Sequence, residues 1–472
     1  PCPEGCQDST LERKNTTNNL NSRMKRTIRI LAAALLIASS ASAQCPATAS
    51  GEYRPTVCLI SSHQAAAPSE CCAVQEAAAL NRLAADAAVV DYLETHRYGF
   101  QQVERPQFVF ASKNNRFSLA LGGSVSLRAS YDFDGISDDV NFRPSAIPVP
   151  GNYDTRQQLR MDASASRLFV KAIANSRALG RVVIFADADF RGGAENSYTP
   201  RLRSAYVSLL GLTLGRDVTT FNDLRSAPEM IDLRGPNSNS FEKYATLARY
   251  EVTFARDRLT FGVAAEMPDV EATYNDNFAT LRQRMPDFPA YIQLAWGNNR
   301  ESHIRASGIV RNLYMHNNLT GDNTSLLGWG AQFSGRIKVA QPLVLYMNGV
   351  YGEGIAPYIQ DLAGAGLDFT PNPQNDKQVE TMPMWGWQAS AQINLSRRVK
   401  LSGGYSTVRV ERRHGAYADE QYRRGDYIFG NIFCSVTPRM KLAAEYIYGM
   451  RSTMNGAENH ANRVSILAQY NF

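Results

Sequence analysis

The chain has 472 residues, a mass of 52.2 kDa and a formal net charge of +6, with 44% hydrophobic residues and a mean hydropathy of −0.32. This hydropathy excludes a bundle of transmembrane helices, because each such helix needs about 20 consecutive apolar residues. It leaves open a few soluble domains or one large closed barrel, whose strands alternate apolar and polar side chains. Residues 1–43 hold six bases and three acids, so the remaining chain carries only +3 and nucleic acid is not implied as a partner.

Residues 24–43 have the three parts of a secretory signal peptide. Residues 24–29 are positively charged, residues 30–37 form an apolar core too short to span a bilayer, and residues 41–43 provide a small-residue cleavage site. A buried core helix is the alternative. Residues 1–23 are polar and precede the initiator methionine, so we interpret them as an upstream extension that is not native. The sequence therefore predicts export.

Residues 44–105 are expected to form a periplasmic extension that contains cysteines and a helix. The cysteines are Cys45, Cys58, Cys71 and Cys72. In an oxidising compartment, such a cluster is most simply a set of disulfides. Its spacing does not match paired CxxC zinc knuckles, and Gln44 does not suit a lipoprotein site at Cys45. Disulfides are the favoured interpretation.

A helix is predicted over residues 76–94. Leu80, Leu83, Ala87 and Val90 recur at spacings of three and four, which places them on one stripe of a helix. Two interpretations remain open. The helix either belongs to a short coiled coil that holds an oligomer together, or packs on its own domain.

From Arg116 to the C-terminus the hydrophobic pattern has a period of two. In the first long segment, apolar residues occupy the odd positions from Phe117 to Phe133, and the segments that begin at Leu259, Leu327 and Trp385 alternate in the same way. About 16 such segments, joined by tight turns and long polar loops, are typical of a channel-forming barrel. The sequence predicts an all-β fold over residues 106–472, an antiparallel transmembrane β-barrel in the bacterial outer membrane.

Charged residues lie on the face opposite the apolar one in several predicted strands. Arginine on the lipid face would cost ~2–4 kcal/mol near the bilayer midplane, so these residues are expected to line the lumen. They include Arg160, Asp187, Asp189, Arg201, Arg203, Arg249 and Arg305. Either their Asp–Arg pairs mainly hold the wall together, or the charges select anions. Both interpretations remain open.

Three segments resemble the DcaP-like family of outer-membrane porins: residues 186–190, residues 200–206, and residues 215–237, which read Gly-Arg-Asp-x-x-Thr-Phe and then Ile-Asp-x-x-Gly-Pro-Asn. The resemblance is most specific between Leu159 and Phe254. It implies a trimeric barrel with a periplasmic helical extension and a lumen that favours small negatively charged solutes, dicarboxylates among them. Residues 215–237 follow two predicted strands and precede the strand at Ala245, a position at which porins often fold a loop into the lumen, so this segment is expected to do so.

By this resemblance, the candidate constriction residues are Arg201, Arg203, Arg216 and Arg249. Replacing Arg201 and Arg203 together by alanine should weaken anion preference and leave folding intact. The C-terminal strand ends at Phe472, which resembles the signature read by the barrel-assembly machinery. The expected partners are outer-membrane lipid, small anions, that machinery and two further copies of the chain.

The sequence does not favour an enzyme. It has six histidines and neither a GxSxG nor an HExxH motif, so no catalytic, cofactor-binding or metal-binding residue is predicted. The leading hypothesis is passive diffusion of small anions through an arginine-lined lumen. The alternative is a closed outer-membrane barrel with a structural or adhesive role, and a soluble secreted β-protein is a further possibility.

Overall fold

The structure is a computed structural model, which describes residues 55–60, 71–95, 99–103, 105–112, 114, 116–136, 140–193 and 197–472. The predicted upstream extension, the predicted signal peptide and Cys45 lie outside these residues.

The described chain is mostly β-strand. Its strands are β1 Thr56–Ile60, β2 Phe108–Ser112, β3 Phe117–Asp134, β4 Gln158–Asp162, β5 Arg167–Ser176, β6 Gly180–Asp189, β7 Arg201–Leu209, β8 Leu212–Val218, β9 Tyr244–Phe254, β10 Leu259–Glu266, β11 Phe278–Thr280, β12 Phe288–Trp296, β13 Ser302–Asn317, β14 Asp322–Lys338, β15 Leu343–Glu353, β16 Phe369–Pro371, β17 Val379–Thr381, β18 Pro383–Asn394, β19 Val399–Val410, β20 Tyr422–Ser435, β21 Met440–Thr453 and β22 Glu458–Asn471. The helices are α1 Cys71–Thr95 and the 3₁₀ turns Pro144–Ala146, Tyr153–Thr155, Asn298–Arg300 and Ala356–Tyr358.

The strands from β3 to β22, apart from the small hairpin of β16 and β17, form a closed antiparallel barrel. Two wall strands are interrupted, β4 with β5 and β11 with β12, so the described residues build sixteen wall strands. The barrel closes where β22 pairs with β3, with Tyr470 opposite Val125 and Ile466 opposite Ala129. The predicted fold class and strand number are confirmed.

Side chains alternate between the two faces of the wall, as the period-two pattern predicts. In β3, Val125 is 59% exposed and Leu127 is 46% exposed on the outer face, whereas Ser126 and Arg128 are 4% and 5% exposed on the inner face. An apolar outer face meets lipid hydrocarbon without desolvating any polar group, and the inner face can carry charges and hydroxyls.

The two ends of the barrel differ in their connections. One end has tight turns, including residues 177–179 between β5 and β6 and residues 210–211 between β7 and β8. The other end has the long connections 135–157, 219–243 and 354–382. Short turns face the periplasm in outer-membrane barrels and longer loops face outward. Below, these are called the short-turn end and the long-loop end.

Strands β1 and β2 and helix α1 lie at the short-turn end. β2 pairs with the first residues of β3, and β1 runs parallel to β2. Ala88 and Tyr92 of α1 pack in a cluster with Ala120 and Ile173, two inward-facing wall residues. The Asp91 carboxylate accepts hydrogen bonds from Asn175 and Arg181 at 2.7 and 2.8 Å. The helix therefore packs on its own barrel, which agrees with the second of the two interpretations of the sequence.

The buried stripe of α1 is not the predicted one. Leu83 and Val90 are 66% and 50% exposed, whereas Ala84, Ala88 and Tyr92 are buried. Small alanines let the helix approach the wall closely, and Tyr92 lies under the Lys171 ammonium group at 4.5 Å. Coiled-coil formation stays a prediction. No helix in the described part of the chain is long and apolar enough to cross a membrane.

The loops at the long-loop end fold into the lumen and bury two apolar clusters there. One joins Phe221, Tyr358 and Leu362 to inward residues of β18 and β19. The other joins Phe142, Ile147 and Phe241 to inward residues of β20, β21 and β22. The interior thus consists of loops packed on a polar wall rather than of two facing sheets.

Candidate functional site

Residues 219–243, which connect β8 to β9, lie inside the barrel and are called the lumen loop. Most of their side chains are buried although many are polar, including Asn222, Asp223, Asn237 and Asn239. Buried polar groups need hydrogen-bond partners, and the inner wall provides them. This loop is the segment that the sequence predicted to enter the lumen.

Asp223 fixes the start of the lumen loop to β13 and β14. Its Oδ2 atom lies 2.7 Å from Nε2 of His303 and accepts a hydrogen bond of 2.9 Å from the hydroxyl of Ser334. Burial would raise the pKa of the Asp223 carboxyl, but His303, Arg305 and a backbone N–H together outweigh that effect and hold the pKa well below its usual range. The anchor is therefore an ionised carboxylate.

Neutral amides and hydroxyls fix residues 226–239 at several points to the wall of β14–β19. Ser238 donates to Asn348 on β15 at 3.3 Å, and Gln332 on β14 donates to Asn239 at 3.1 Å. Gln388 on β18 donates to the carbonyl of Ser226 at 2.7 Å. These bonds are directional and place no net charge in the lumen. We call this side the amide wall.

The opposite side of the lumen, formed by β3–β7, is charged. Arg201 binds Asp189 through two hydrogen bonds of 2.9 and 2.6 Å, and Arg203 donates to the same carboxylate at 2.9 Å. Paired hydrogen bonds of this kind are the strong geometry for arginine and carboxylate. We call this side the charged wall.

Glu242, near the end of the lumen loop, sits among four guanidinium groups. Its carboxylate lies 2.9 Å from Arg191, 3.2 Å from Arg201, and 3.5 Å from both Arg203 and Arg234. Burial would raise the pKa of the Glu242 carboxyl, but these four groups outweigh it and hold the pKa well below its usual range. The four arginines with Asp189 and Glu242 are called the arginine cluster.

Further ion pairs continue the charged wall around the barrel. Arg463 binds Asp132 with hydrogen bonds of 2.6 and 2.9 Å, and Arg160 lies 3.4 Å from the same carboxylate. Two more pairs are Arg128 with Asp162 at 3.3 Å and Arg167 with Asp187. Most arginines on the charged wall thus have an acidic partner. A net positive charge arises only from the arginines that outnumber the acids.

The structure brings five of the predicted lumen residues together on the charged wall: Arg160, Asp187, Asp189, Arg201 and Arg203. Two others also point inward but lie apart. Arg249 on β9 binds Asp217 at 2.7 Å. Arg305 on β13 lies 3.7 Å from the ring centre of Tyr291 and donates to the Thr220 carbonyl.

Arg216 lies on the other face of the wall. It alternates with the inward-facing Asp217 and shares the outward side of β8 with Leu214, which is 41% exposed. Its Nε donates to the backbone carbonyl of Leu202, another outward residue, at 3.3 Å. The strand β8 runs to Val218, so residues 215–218 of the predicted lumen segment belong to the wall, and the alternation turns the Arg216 side chain away from the lumen. This register separates Arg216 from the candidate constriction.

Sequence reasoning missed several members of the site. Arg167 lies two residues before the inward Phe169, so the alternation alone could have identified it. Glu242 and Arg234 lie in an irregular loop, where no period links position to face. Only their contacts with the arginine cluster reveal them.

A cavity of about 1110 Å³ opens between the lumen loop and the short-turn end. Its charged lining comprises nine bases and four acids: Arg105, Arg128, Arg167, Arg203, Arg225, Arg300, Arg336, Lys400 and Lys441 against Glu94, Asp189, Glu229 and Glu301. A smaller cavity of about 170 Å³ lies on the other side of the arginine cluster and is lined by three bases and three acids. The lining of the larger cavity thus has five more bases than acids, and three of these bases, Arg128, Arg167 and Arg300, pair with acids outside the lining.

Lys400 on β19 and Lys441 on β21 also line this cavity. They flank Glu229 of the lumen loop at 3.3 and 2.6 Å. Burial would raise the pKa of the Glu229 carboxyl, but the two ammonium groups outweigh it and lower the pKa. Among the described residues, no three His, Cys, Asp or Glu side chains are arranged to hold a metal ion.

Comparison with solved structures finds a channel of similar fold. Among solved structures, the outer membrane channel DcaP of Acinetobacter baumannii matches 75% of this chain and 97% of its own, with a TM-score of 0.66 and 21% identity. The anion-selective porin from Comamonas acidovorans matches 75% of this chain and 100% of its own, with a TM-score of 0.49 and 10% identity. A loop deletion mutant of OmpT of Vibrio cholerae matches 76% of this chain and 100% of its own, with a TM-score of 0.48 and 12% identity.

No curated protein sequence matches the chain. A sequence model described as DcaP outer membrane protein matches residues 111–472, which is nearly the whole barrel. With the closed sixteen-stranded barrel, this match shows that the chain belongs to the DcaP outer membrane protein family and is located in the outer membrane.

Proposed function

We propose that the protein is a porin through which small anions, dicarboxylates among them, diffuse passively. The single observation that carries this proposal is the lining of the larger cavity, where nine bases face four acids. A lumen with one sign of excess charge raises the local concentration of ions of the opposite sign.

The kind of base supports carboxylate solutes. Seven of the nine bases are arginines, whose planar guanidinium groups match a carboxylate with two parallel hydrogen bonds. Arg201 already binds a carboxylate in this way within the protein, at Asp189. A solute carboxylate can exchange for such a partner where the guanidinium is partly exposed, and the side chain of Arg201 is 26% exposed.

The assembly of the protein is part of the proposal. The family resemblance supports a homotrimer, and the C-terminal residue supports recognition by the barrel-assembly machinery. Phe472 completes the last strand, since its backbone exchanges two hydrogen bonds of 3.0 Å with Gly123 of β3. Cross-linking of the folded protein in detergent should give a ladder that ends at three copies.

The experiment that tests channel function is a current recording in a planar bilayer under a salt gradient. We expect stable conductance steps and a reversal potential that favours anions. Dicarboxylates added to one side should then reduce the chloride current more than monocarboxylates do. A zero or cation-favouring reversal potential from a folded barrel would contradict anion preference.

A closed barrel with a structural or adhesive role is the second candidate. The observation in its favour is that the loops bury two apolar clusters in the lumen at the long-loop end. A folded barrel that gives no current in the same recording would favour this role.

A further inference from the structure

We propose that residues Gly99–Val103, which precede the barrel in the sequence, form part of the pore constriction. In this arrangement Phe100 and Gln101 narrow the permeation path, and Gln101 sets how strongly the arginine cluster acts on a passing anion. The inference rests on the proposed channel function. It adds residues from outside the barrel wall, in the segment that the sequence assigned to the periplasmic extension.

Phe100 lies in the middle of the lumen. It is 5% exposed and packs in one cluster with Phe142 and Met230, which come from two different loops, and with inward residues of β20–β22. Its ring meets the ring of Phe241 edge to face, with centroids 4.8 Å apart. Its backbone N–H donates a hydrogen bond of 2.6 Å to the carbonyl of Leu224. The segment is thus bound to the lumen loop by both backbone and side chain.

Gln101 binds two arginines of the charged wall. Nη2 of Arg203 donates to its side-chain oxygen at 2.9 Å, and Arg167 donates to its backbone carbonyl. The residue has a φ of 59°, a left-handed conformation that costs energy for a residue with a side chain. This backbone is held by the two guanidinium groups and by the packing of Phe100 beside it.

The surroundings are shaped to receive the segment. Gly235 of the lumen loop has a φ of +67°, and a Cβ atom there would lie 3.1 Å from the ring of Phe100 and 3.2 Å from that of Phe241. Only glycine fits this place without displacing the two rings. At the other end, Val103 packs with the inward residues Phe169 and Phe185.

The segment also lines the cavity that carries the proposed function. All five residues from Gly99 to Val103 belong to the lining of the cavity of about 1110 Å³. A solute that crosses this cavity therefore meets Gln101 beside Arg203. Since Gln101 occupies one donor of Arg203 and one of Arg167, it limits the number of guanidinium N–H groups that reach the solute.

The first experiment changes the charge and size of residue 101 in the full chain. Gln101→Glu should lower the anion-to-cation permeability ratio by about twofold, the effect of one unit charge at ~8 Å in a water-filled lumen. Gln101→Ala should raise both the single-channel conductance and that ratio. Gln107→Ala is the matched control, because Gln107 precedes β2 and is not part of the cavity lining.

The second experiment tests the position of the segment without a current. Phe100→Ala should lower the urea concentration at which the barrel unfolds, because it empties a site within the lumen cluster. Phe108→Ala, in β2 of the same extension, removes a ring that is 40% exposed and should leave that concentration nearly unchanged. Migration of unheated samples on a gel verifies that each variant is folded.

The two experiments separate the inference from the proposed function. If the wild-type protein conducts anions, and the variants at residues 100 and 101 behave like their controls, the inference is overturned and the channel function stands. If no protein conducts but Phe100→Ala still destabilises the barrel, the channel function and the selectivity role fail, and the segment is a structural plug. The expected shifts in permeability ratio and unfolding support the inference.

Discussion

The two walls of the lumen are polar in different ways, although both face the same loop. The charged wall presents guanidinium and carboxylate groups in a closely spaced network centred on Asp189 and Glu242. The amide wall presents Gln332, Asn348 and Gln388, which hold the lumen loop through neutral hydrogen bonds. The lumen loop is thus held on one side by ion pairs at Glu242 and on the other by neutral hydrogen bonds.

The difference follows from electrostatics in a partly dehydrated space. Each buried charge on the charged wall requires a partner of opposite sign, so its members depend on one another. Each bond on the amide wall contributes separately and modestly, since a neutral hydrogen bond adds about 1 kcal/mol. Substitutions should therefore have larger and more coupled effects on the charged wall.

The largest expected effect is that of Arg203→Ala. The side chain of Arg203 is 2% exposed and faces Asp189 and Glu242, so its loss should lower the free energy of unfolding by about 3–5 kcal/mol. Urea unfolding of the barrel in detergent, followed by tryptophan fluorescence, measures it. This burial changes the expectation from sequence that the double substitution with Arg201→Ala leaves folding intact.

Gln388→Ala is the matched substitution on the amide wall. It removes the 2.7 Å bond to the Ser226 carbonyl and should lower the free energy of unfolding by about 1–2 kcal/mol. If Arg203→Ala destabilises the barrel no more than Gln388→Ala, the contrast between the two walls does not exist.

A substitution where the lumen loop meets β13 and β14 should have a smaller effect than Arg203→Ala. Asp223→Asn keeps the size of the side chain but removes the charge that faces His303, so the free energy of unfolding should fall by about 1–3 kcal/mol. Open-channel current noise should rise as the loop loosens. Asp276→Asn, at an exposed loop position, is the control and should change neither quantity. Equal noise in both variants would show that Asp223 does not hold the loop.

Arg201→Ala should change selectivity and should destabilise the barrel less than Arg203→Ala does, because Asp189 keeps Arg203 as a partner. The Arg201 side chain is partly exposed, and the loss of one positive charge should lower the anion-to-cation permeability ratio by about twofold. The reversal potential under a salt gradient measures this ratio. Arg216→Ala removes the same charge from the outward face and should leave the ratio unchanged. A similar shift in both variants would place Arg216 in the lumen.

The smallest effects concern pH, and they differ in sign between two carboxylates. The pKa of Glu242 is lowered in the folded protein, so its stabilising contribution is present above the ordinary glutamate pKa and is lost as the pH falls below it. Burial raises the pKa of the Asp361 carboxyl, and hydrogen-bond donors such as Tyr422 offset this only in part. The free energy of unfolding should therefore fall as the pH rises from the ordinary aspartate pKa to the raised pKa of the folded protein.

Unfolding of Glu242→Gln and Asp361→Asn between pH 4 and pH 8 tests these signs. The advantage of the wild-type protein over Glu242→Gln should grow with rising pH and then level off, whereas its advantage over Asp361→Asn should shrink. Parallel pH profiles for the two variants would refute the assignment of opposite shifts.

Much of the fold could be predicted because successive side chains of a strand point to opposite faces of the sheet. The position of a residue in the strand therefore determines which face it lies on. The alternation of Val125 and Leu127 with Ser126 and Arg128 was sufficient to place apolar residues toward lipid and charges toward the lumen. Arg216 was misplaced because its motif was assigned to the lumen segment, whereas β8 continues to Val218 and the same alternation turns Arg216 outward. In α1, Leu83 and Val90 of the predicted stripe are exposed, because Ala84, Ala88 and Tyr92 form the buried face instead.

The sequence by itself determined the class of the protein, an antiparallel barrel of about sixteen strands in the outer membrane. The alternation of apolar and polar residues repeats in strand after strand, so each strand can be recognised from a short stretch of sequence. The tertiary structure decided which charges meet. Glu242, Arg234 and Gln101 lie in irregular segments without a period, and they reach the charged wall only because the lumen loop and the N-terminal segment fold into the same enclosed space.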